Sequence, residues 1–395
     1  MALSKWNIFI MALCTGLIVA NIYYSQPLLI LISEEFGVSE SNAGQVTFFT
    51  QIGYALGLVF CVPLGDKLER KGQIIGMTAF ASLALIASGF SKSILMLKAT
   101  GLLIGFTSVV PQLILPMAAH LSDPARRGKI IGNIMSGLLV GILLSRTLSG
   151  VVGAHLGWRA MFWIAGGISL LLVVIMAVSF PQSRPTFSGS YGQLMASLFT
   201  LVKEQPVLRE ASVINACSFA MFGLFWTTVV FLLSGSPFHY HSDVIGLMGL
   251  AAAAGALGAP LIGQIADKQN PRIAVGYGII FLFAGFVLFY FSRANIIGII
   301  AGIVAIDLGL QGIHVSNQTR IYALLPEARN RLNTVFMTVS FIGTSLGSGI
   351  GLWVWSVGKW PAVCVAGVSL ITIALLVYLL TYKKASPVKG VVQEG

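Results

Sequence analysis

Charge is scarce in this sequence. Only 9% of its 395 residues are Asp, Glu, Lys or Arg, against roughly a quarter in an ordinary soluble domain. With 56% hydrophobic residues, the chain cannot cover a water-facing surface with polar groups, so lipid is its main solvent. Acid is scarcer than base, with 13 Asp and Glu against 24 Lys and Arg. The bases fall in short clusters between apolar runs, such as Lys67, Arg70, Lys71 and Arg126, Arg127, Lys129. That pattern suits topology signals and argues against the contiguous basic face of a nucleic-acid binder. Cysteine is sparser still: Cys14, Cys61, Cys217 and Cys364 stand singly in apolar stretches, with no CxxC spacing for zinc or redox chemistry, and read as small packing residues. His239 and His241 are a lone pair in a loop, so no metal and no cofactor are expected.

Catalytic motifs are missing too. There is no HExxH, no Walker A and no GxGxxG after a strand. Gly343-Thr344-Ser345-Leu346-Gly347 fits the G-x-S-x-G pattern, but it lies inside a continuous apolar segment, where a nucleophile elbow needs a strand before it. An enzyme is not expected.

Apolar length is what the chain has in quantity. Spans of about 20 residues suffice to cross a bilayer, and we place them at 6–32, 41–64, 73–91, 94–120, 130–153, 158–180, 208–233, 243–265, 272–291, 295–321, 333–356 and 361–382. All twelve are predicted to be helices, because backbone polar groups in lipid must be satisfied within the segment. The first is longer than a signal-peptide core and lacks a cleavage signature, so it is retained as a span. Glycines at Gly137/Gly141 and Gly343/Gly347 have the spacing that lets helices approach closely.

With the N-terminus inside, 18 of the 24 Lys and Arg fall on the cytoplasmic side, while the external loops hold Lys92, Arg159, Arg293 and Lys359. The positive-inside rule then puts both termini in the cytoplasm. One connection is long: 181–207, with three prolines and a stretch from Leu194 to Val202 that suits an amphipathic surface helix. It divides the chain into an N-terminal six-span half (1–184), a linker (185–207) and a C-terminal half (208–395). The halves echo each other. Asp66 and Asp267 lie 201 positions apart in similar loops, and Pro124 and Pro326 lie 202 apart. The chain is read as a duplicated six-helix unit, a repeat for which a membrane receptor or structural protein has no need.

The segment Val62-Pro63-Leu64-Gly65-Asp66-Lys67-Leu68-Glu69-Arg70-Lys71 resembles the loop motif G-x-L-A-D-R-x-G-R-[RK] of the major facilitator superfamily, keeping the Asp and the bases and losing both glycines. Gly263 to Arg272, with Asp267 and Lys268, is a weaker copy. The frame Gly132, Gly141, Ser145-Arg146, Ser149-Gly150 is similar to the family's antiporter motif, with serines for two glycines and Arg146 for the proline. Asn21 to Leu29 looks like the first helix of bacterial drug, sugar and nucleoside efflux members. The resemblance covers the whole chain. It implies an all-α membrane protein of twelve helices in two pseudo-symmetric bundles in the bacterial inner membrane. It also implies a monomer that carries a small organic solute by alternating access, by export in exchange for protons or by proton-coupled uptake of a nutrient.

The candidate residues follow. Asp307 is the one acid placed in mid-span, about 12 residues from the outer end, or roughly 18 Å. A charge there calls for a cavity or a partner. It either binds a proton or substrate or belongs to a static ion pair. Gln311, His314 and Gln318 continue its face. Arg146 is the complementary oddity: it pairs with Asp307, binds an anionic group, or reaches for the interface, as Lys98 can. Asn21, Tyr23, Tyr24 and Gln26 in the first span, and Asn215, Phe219, Phe222 and Trp226 in the seventh, form stripes that suit either packing or contact with an uncharged or amphipathic solute. From the resemblance, Asp66, Lys67, Arg70, Lys71, Asp267 and Lys268 are tied to gating.

Overall fold

The computed structural model describes residues 3–123, 126–183, 189–257, 270–325 and 328–382. Helix dominates, and no strand occurs among the described residues. The gating candidates Asp267 and Lys268 lie outside them. The helices are α1 (Lys5–Ala20), α2 (Leu29–Phe36), α3 (Glu40–Phe60), α4 (Leu64–Lys67), α5 (Arg70–Gly89), α6 (Ile94–Thr107), α7 (Pro111–His120), α8 (Arg127–Leu156), α9 (Trp158–Ser179), α10 (Tyr191–Glu204), α11 (Pro206–Ser234), α12 (Ser242–Leu257), α13 (Pro271–Phe291), α14 (Ile296–Tyr322) and α15 (Arg329–Tyr382). Nine described helical stretches are long and apolar enough to cross a membrane, and Lys5–Ala20 and Ser242–Gly255 are shorter apolar helices. The protein is a multi-pass membrane protein.

Two predicted spans are broken. The first leaves the α-helix at Ala20, turns through 21–25 and re-forms as a 3-10 turn, Gln26–Leu28, before α2. Pro27 is the cause: it has no N–H to donate, and its ring crowds the carbonyl four residues back. The fourth breaks between α6 and α7, where Pro111 sits at the first position of α7, the place that a proline tolerates best. Polar side chains close several helix ends. Ser39 caps α3 by accepting from the Asn42 N–H, and Ser190 and Gln193 form a reciprocal capping box on α10, satisfying amides that a helix start leaves open. The amphipathic linker helix is present as α10, with Leu194, Leu198 and Leu201 buried on one face.

The helix α15 has 54 residues, about 80 Å at 1.5 Å per residue and far more than one crossing needs. It turns back at Lys359, whose φ of 51° is non-helical. Beyond that point Trp360 donates its indole N–H to the Phe289 carbonyl at one end of α13, and Arg272 at the other end donates to the Tyr378 carbonyl.

Glycine sets the closest approaches. Gly137 and Gly141 of α8 press onto the backbone of Ala12 and Gly16 in α1, and Gly343 and Gly347 of α15 press onto Ala216 and Ala220 in α11. Neither place has room for a Cβ. Gly53 of α3 meets the Leu102 carbonyl of α6, and Gly255 of α12 meets the Val304 carbonyl of α14. Both partners of the second contact lie 202 positions after those of the first, so the internal repeat is visible as repeated helix packing.

One set of helices thus packs α1 on α8, α3 on α6 and α5 on α9, and the other packs α11 on α15, α13 on α14 and α12 on α14. The sets meet along α8 with α12 and α3 with α15. Lipid is the natural neighbour of the apolar residues left outside, among them Phe80, Val178, Phe291 and Trp353.

Candidate functional site

The broken first span is where the site begins. Because the helix is interrupted, Tyr23 and Gln26 leave its regular face and point at the seam between the sets. There, with Gln51 of α3, Phe219 and Phe222 of α11, and Phe341 of α15, they line a small cavity. The space open to the centre of a water-sized sphere is about 20 Å³, enough for roughly one water and too little for an organic solute.

Arg146 stands beside that cavity on α8, with 2% of its surface exposed. Its Nε donates to Gln26 Oε1 at 2.7 Å. Its guanidinium lies 4.0 Å from the centre of the Trp226 ring, 4.6 Å from Tyr23 and 5.9 Å from Phe222. Aromatic faces attract a desolvated cation by about 2 kcal/mol or more, which helps to hold this charge in the bundle. Its Nη2 nonetheless has no hydrogen-bond partner.

Asp307 is 5% exposed on α14, and its Oδ2 is also without a partner. The direct Arg146–Asp307 ion pair, one of the alternatives for these residues, is not formed in this conformation: no salt bridge joins them among the described residues. The small-residue helix α12 explains the separation. It passes between α8 and α14, with Gly246 against the Arg146 carbonyl, Gly249 against the Arg146 Cβ and Gly255 against the Asp307 Cβ. A buried polar atom left unpaired costs about 1–3 kcal/mol, and more if charged, so each open atom lowers the stability of this arrangement.

The other candidate residues fall into separate environments. Asn215 donates to Ser340 Oγ at 2.6 Å and lies 3.3 Å from His314 Nδ1, while His314 stacks on Phe336 and tilts against Phe219. Gln311 is half-buried on the same helix. Asn21 donates to Ser108 Oγ at 3.4 Å, bridging the breaks in the two interrupted spans. Tyr24 packs with Leu28, Ile32 and Trp158, so the geometry gives the cavity position to its neighbour Tyr23. Lys98 donates to Asn42 and Gln45, and Gln318 to Tyr322 and Asn333.

At the Asp66 end of the bundle, Arg70 pairs with Asp66 at 2.8 Å and is itself buried. Lys67 and Lys71 flank them, and the Lys71 N–H donates to Glu69. A buried charge cluster there escaped the sequence reading: Glu210 of α11 lies 3.2 Å from Arg272 and 3.1 Å from Arg320. Glu210 sits at the start of its span and looked like an ordinary helix-end acid; only packing buries it. The opposite end is sealed across the seam. Glu40 of α3 accepts from Trp355 Nε1 at 2.8 Å and pairs with Lys359 at 3.4 Å, Ser41 donates to the Leu352 carbonyl at 3.2 Å, and Ser348 donates to Gln51 at 2.6 Å.

Two helix sets related by a repeat, meeting around a polar–aromatic cavity inside the membrane, define a secondary transporter. The chain belongs to the Major Facilitator Superfamily, whose profile matches residues 8–348. It is 41% identical to the uncharacterized transporter YgaY of Escherichia coli O157:H7 over 376 residues, 95% of each chain. It is 24% identical to the uncharacterized MFS-type transporter YybF of Bacillus subtilis, covering 91% of this chain and 88% of that one. Among solved structures, a bacterial homolog of the human lysosomal transporter Spinster, inward-facing and occupied, shares the fold with a TM-score of 0.78 at 17% identity, covering 97% and 98% of the two chains. The nucleoside transporter NupG shares it with a TM-score of 0.74 at 13% identity, covering 97% and 100%.

Proposed function

We propose that the protein exports a small amphipathic organic compound from the bacterial cytoplasm by alternating access, in exchange for protons. The observation that carries this reading is the pair of buried, opposite and incompletely bonded charges, Arg146 and Asp307, on the two flanks of α12. Helix α12 belongs to the seam along which the sets must move. A change in its packing alters the distance between the two groups. Close to Arg146 the Asp307 carboxyl group has a cation beside it, and away from Arg146 it loses that partner. That alternation suits a proton carrier and has no use in a static ion pair. Alternating-access transporters place such groups near the bilayer midplane, at the junction of their repeats.

The architecture supports the same reading. Counting α1 with α2 as the first span, α12 as the eighth and the two arms of α15 as the last two gives twelve crossings, six in each set, with α10 as the linker. Both termini then face the cytoplasm of the inner membrane. The Glu40–Lys359 contact closes the outer end, and Asp66 with Arg70 belongs to the inner gate. The chain is proposed to work as a monomer.

Proteoliposomes with an imposed proton gradient test the proposal. Gradient-driven transport is expected from the native chain and is lost in Asp307→Asn and in Arg146→Gln. The double variant is expected to recover folding or substrate exchange beyond either single one, because removing one partner leaves the other charge uncompensated. Proton-driven transport that survives in Asp307→Asn, or strictly additive losses, would overturn the coupling role. Substrate-stimulated proton movement in inverted and right-side-out vesicles reads the direction, and a signal confined to uptake would overturn export.

A further inference from the structure

The unpaired atoms at the centre of the bundle also describe what they wait for. Arg146 and Asp307 flank the same helix: Gly249 faces the Arg146 Cβ and Gly255 the Asp307 Cβ. Six residues of α12 separate these footholds, about 9 Å along the axis. The Tyr23 ring lies 4.6 Å from the Arg146 guanidinium. A salt bridge between the two would satisfy both, yet Arg146 turns to Gln26 and the aromatic faces, leaving Nη2 open, and Asp307 leaves Oδ2 open. Each is nearly fully buried, so neither atom is served by bulk water.

Resting on the transport reading above, we infer that the carried solute is zwitterionic: an acidic group meets Arg146 Nη2, a protonated amine meets Asp307 Oδ2, and an apolar or aromatic body lies among Tyr23, Phe219, Phe222 and Phe341. Guanidinium and carboxylate chemistry sets the two polar ends. A guanidinium presents donors only and an ionised carboxylate acceptors only, so each needs a complementary group of opposite charge. A lipophilic cation answers Asp307 and leaves Arg146 bare. A carboxylate alone does the reverse, and a neutral amphiphile answers neither. The aromatic lining then favours a flat or ring-bearing body, which packs on it edge-to-face or offset. The pairing also conserves charge: a site holding one cation and one anion receives a solute of net charge zero, so no unpaired charge is carried into the bilayer interior.

The test uses the full chain in nanodiscs and thermal unfolding as the readout. The probes are an α-, a β- and a γ-amino acid, each bearing one phenyl group, together with the methyl ester (ammonium only) and the N-acetyl derivative (carboxylate only) of each. At least one zwitterion is expected to raise the unfolding midpoint with a half-saturating concentration ten-fold or more below those of its two derivatives. In Arg146→Gln the zwitterion and its ester should become equivalent. In Asp307→Asn the zwitterion and its N-acetyl derivative should. Arg146→Lys and Asp307→Glu, which keep the charges, should restore part of the discrimination. The comparison within the native protein needs no variant to fold. An ester or N-acetyl derivative that binds as tightly as its zwitterion overturns the inference, as does the absence of a response to all three zwitterions. If proteoliposomes carry a singly charged or neutral compound and ignore the zwitterions, the transport reading stands and this inference falls.

Discussion

The Arg146 guanidinium lies 4.0 Å from the centre of the Trp226 indole, so one cation–π contact ties α8 of the first helix set to α11 of the second. Both residues are buried, and the contact lies at the seam that transport must open and close.

That contact predicts a graded series. Trp226→Ala removes the face and should lower the thermal midpoint in detergent, by the equivalent of about 0.5–2 kcal/mol, beyond what lost packing volume explains. Trp226→Phe keeps a weaker face and should recover part of the loss. If the same series in an Arg146→Met background shows an undiminished step from Phe to Ala, the cation contributes nothing and the indole is only a packing residue.

Crossing of α8 and α12 predicts a second result. At Gly246 a Cβ would lie 2.6 Å from the Arg146 carbonyl oxygen, so Gly246→Leu must push the two helices apart. The Glu40 end should then open. Cysteines placed at Ser41 and Leu352, whose side chain and carbonyl now bond at 3.2 Å, should cross-link more slowly. Gly76→Ala meets nothing within 4 Å and should leave the rate unchanged. Equal cross-linking in Gly246→Leu would show that the seam adapts without opening.

A third concerns Asp66. Its pair with Arg70 at 2.8 Å is partly shielded, with side-chain exposures of 22% and 3%. Asp66→Asn should leave expression and folding intact and slow turnover several-fold, because it shifts the balance between two packings of the sets. Normal turnover at normal expression would reduce the loop to a topology signal.

A fourth is a pH dependence outside the spans. Glu35 is held below the ordinary carboxylate range, first by the hydrogen bond from Arg159 and further by the Trp158 indole. A depressed acid stabilises the fold above its unfolded value and loses that contribution as pH falls through its folded value. Stability should therefore decline in acid below the usual Glu range, and Glu35→Gln should remove that part of the decline. The site is open to solvent, so the effect is below about 1 kcal/mol and should shrink in high salt. An acid limb identical in Glu35→Gln would place the loss elsewhere.

Much of this architecture could be read directly. Apolar run length located the helices, because lipid leaves the backbone no other partner. The offset between Asp66 and Asp267 announced a repeat that appears in space as the Gly53–Leu102 and Gly255–Val304 contacts. Scarcity singled out Arg146 and Asp307, since a charge in mid-span is expensive wherever it points.

What the linear pattern could not supply was direction. Periodicity names a face but not its neighbour, so Tyr23 and Tyr24 look alike until the Pro27 break turns the first toward Arg146 and the second into the Leu28–Trp158 cluster. Glu210 reads as a helix-end acid until Arg272 and Arg320, distant in the chain, close around it. The sequence by itself determined that this is a two-fold-repeated membrane protein, because solvation of backbone and charge is a local, additive demand. Only the tertiary structure decided that Arg146 and Asp307 lie on the two sides of α12 without touching, because that depends on how closely glycine lets three helices approach.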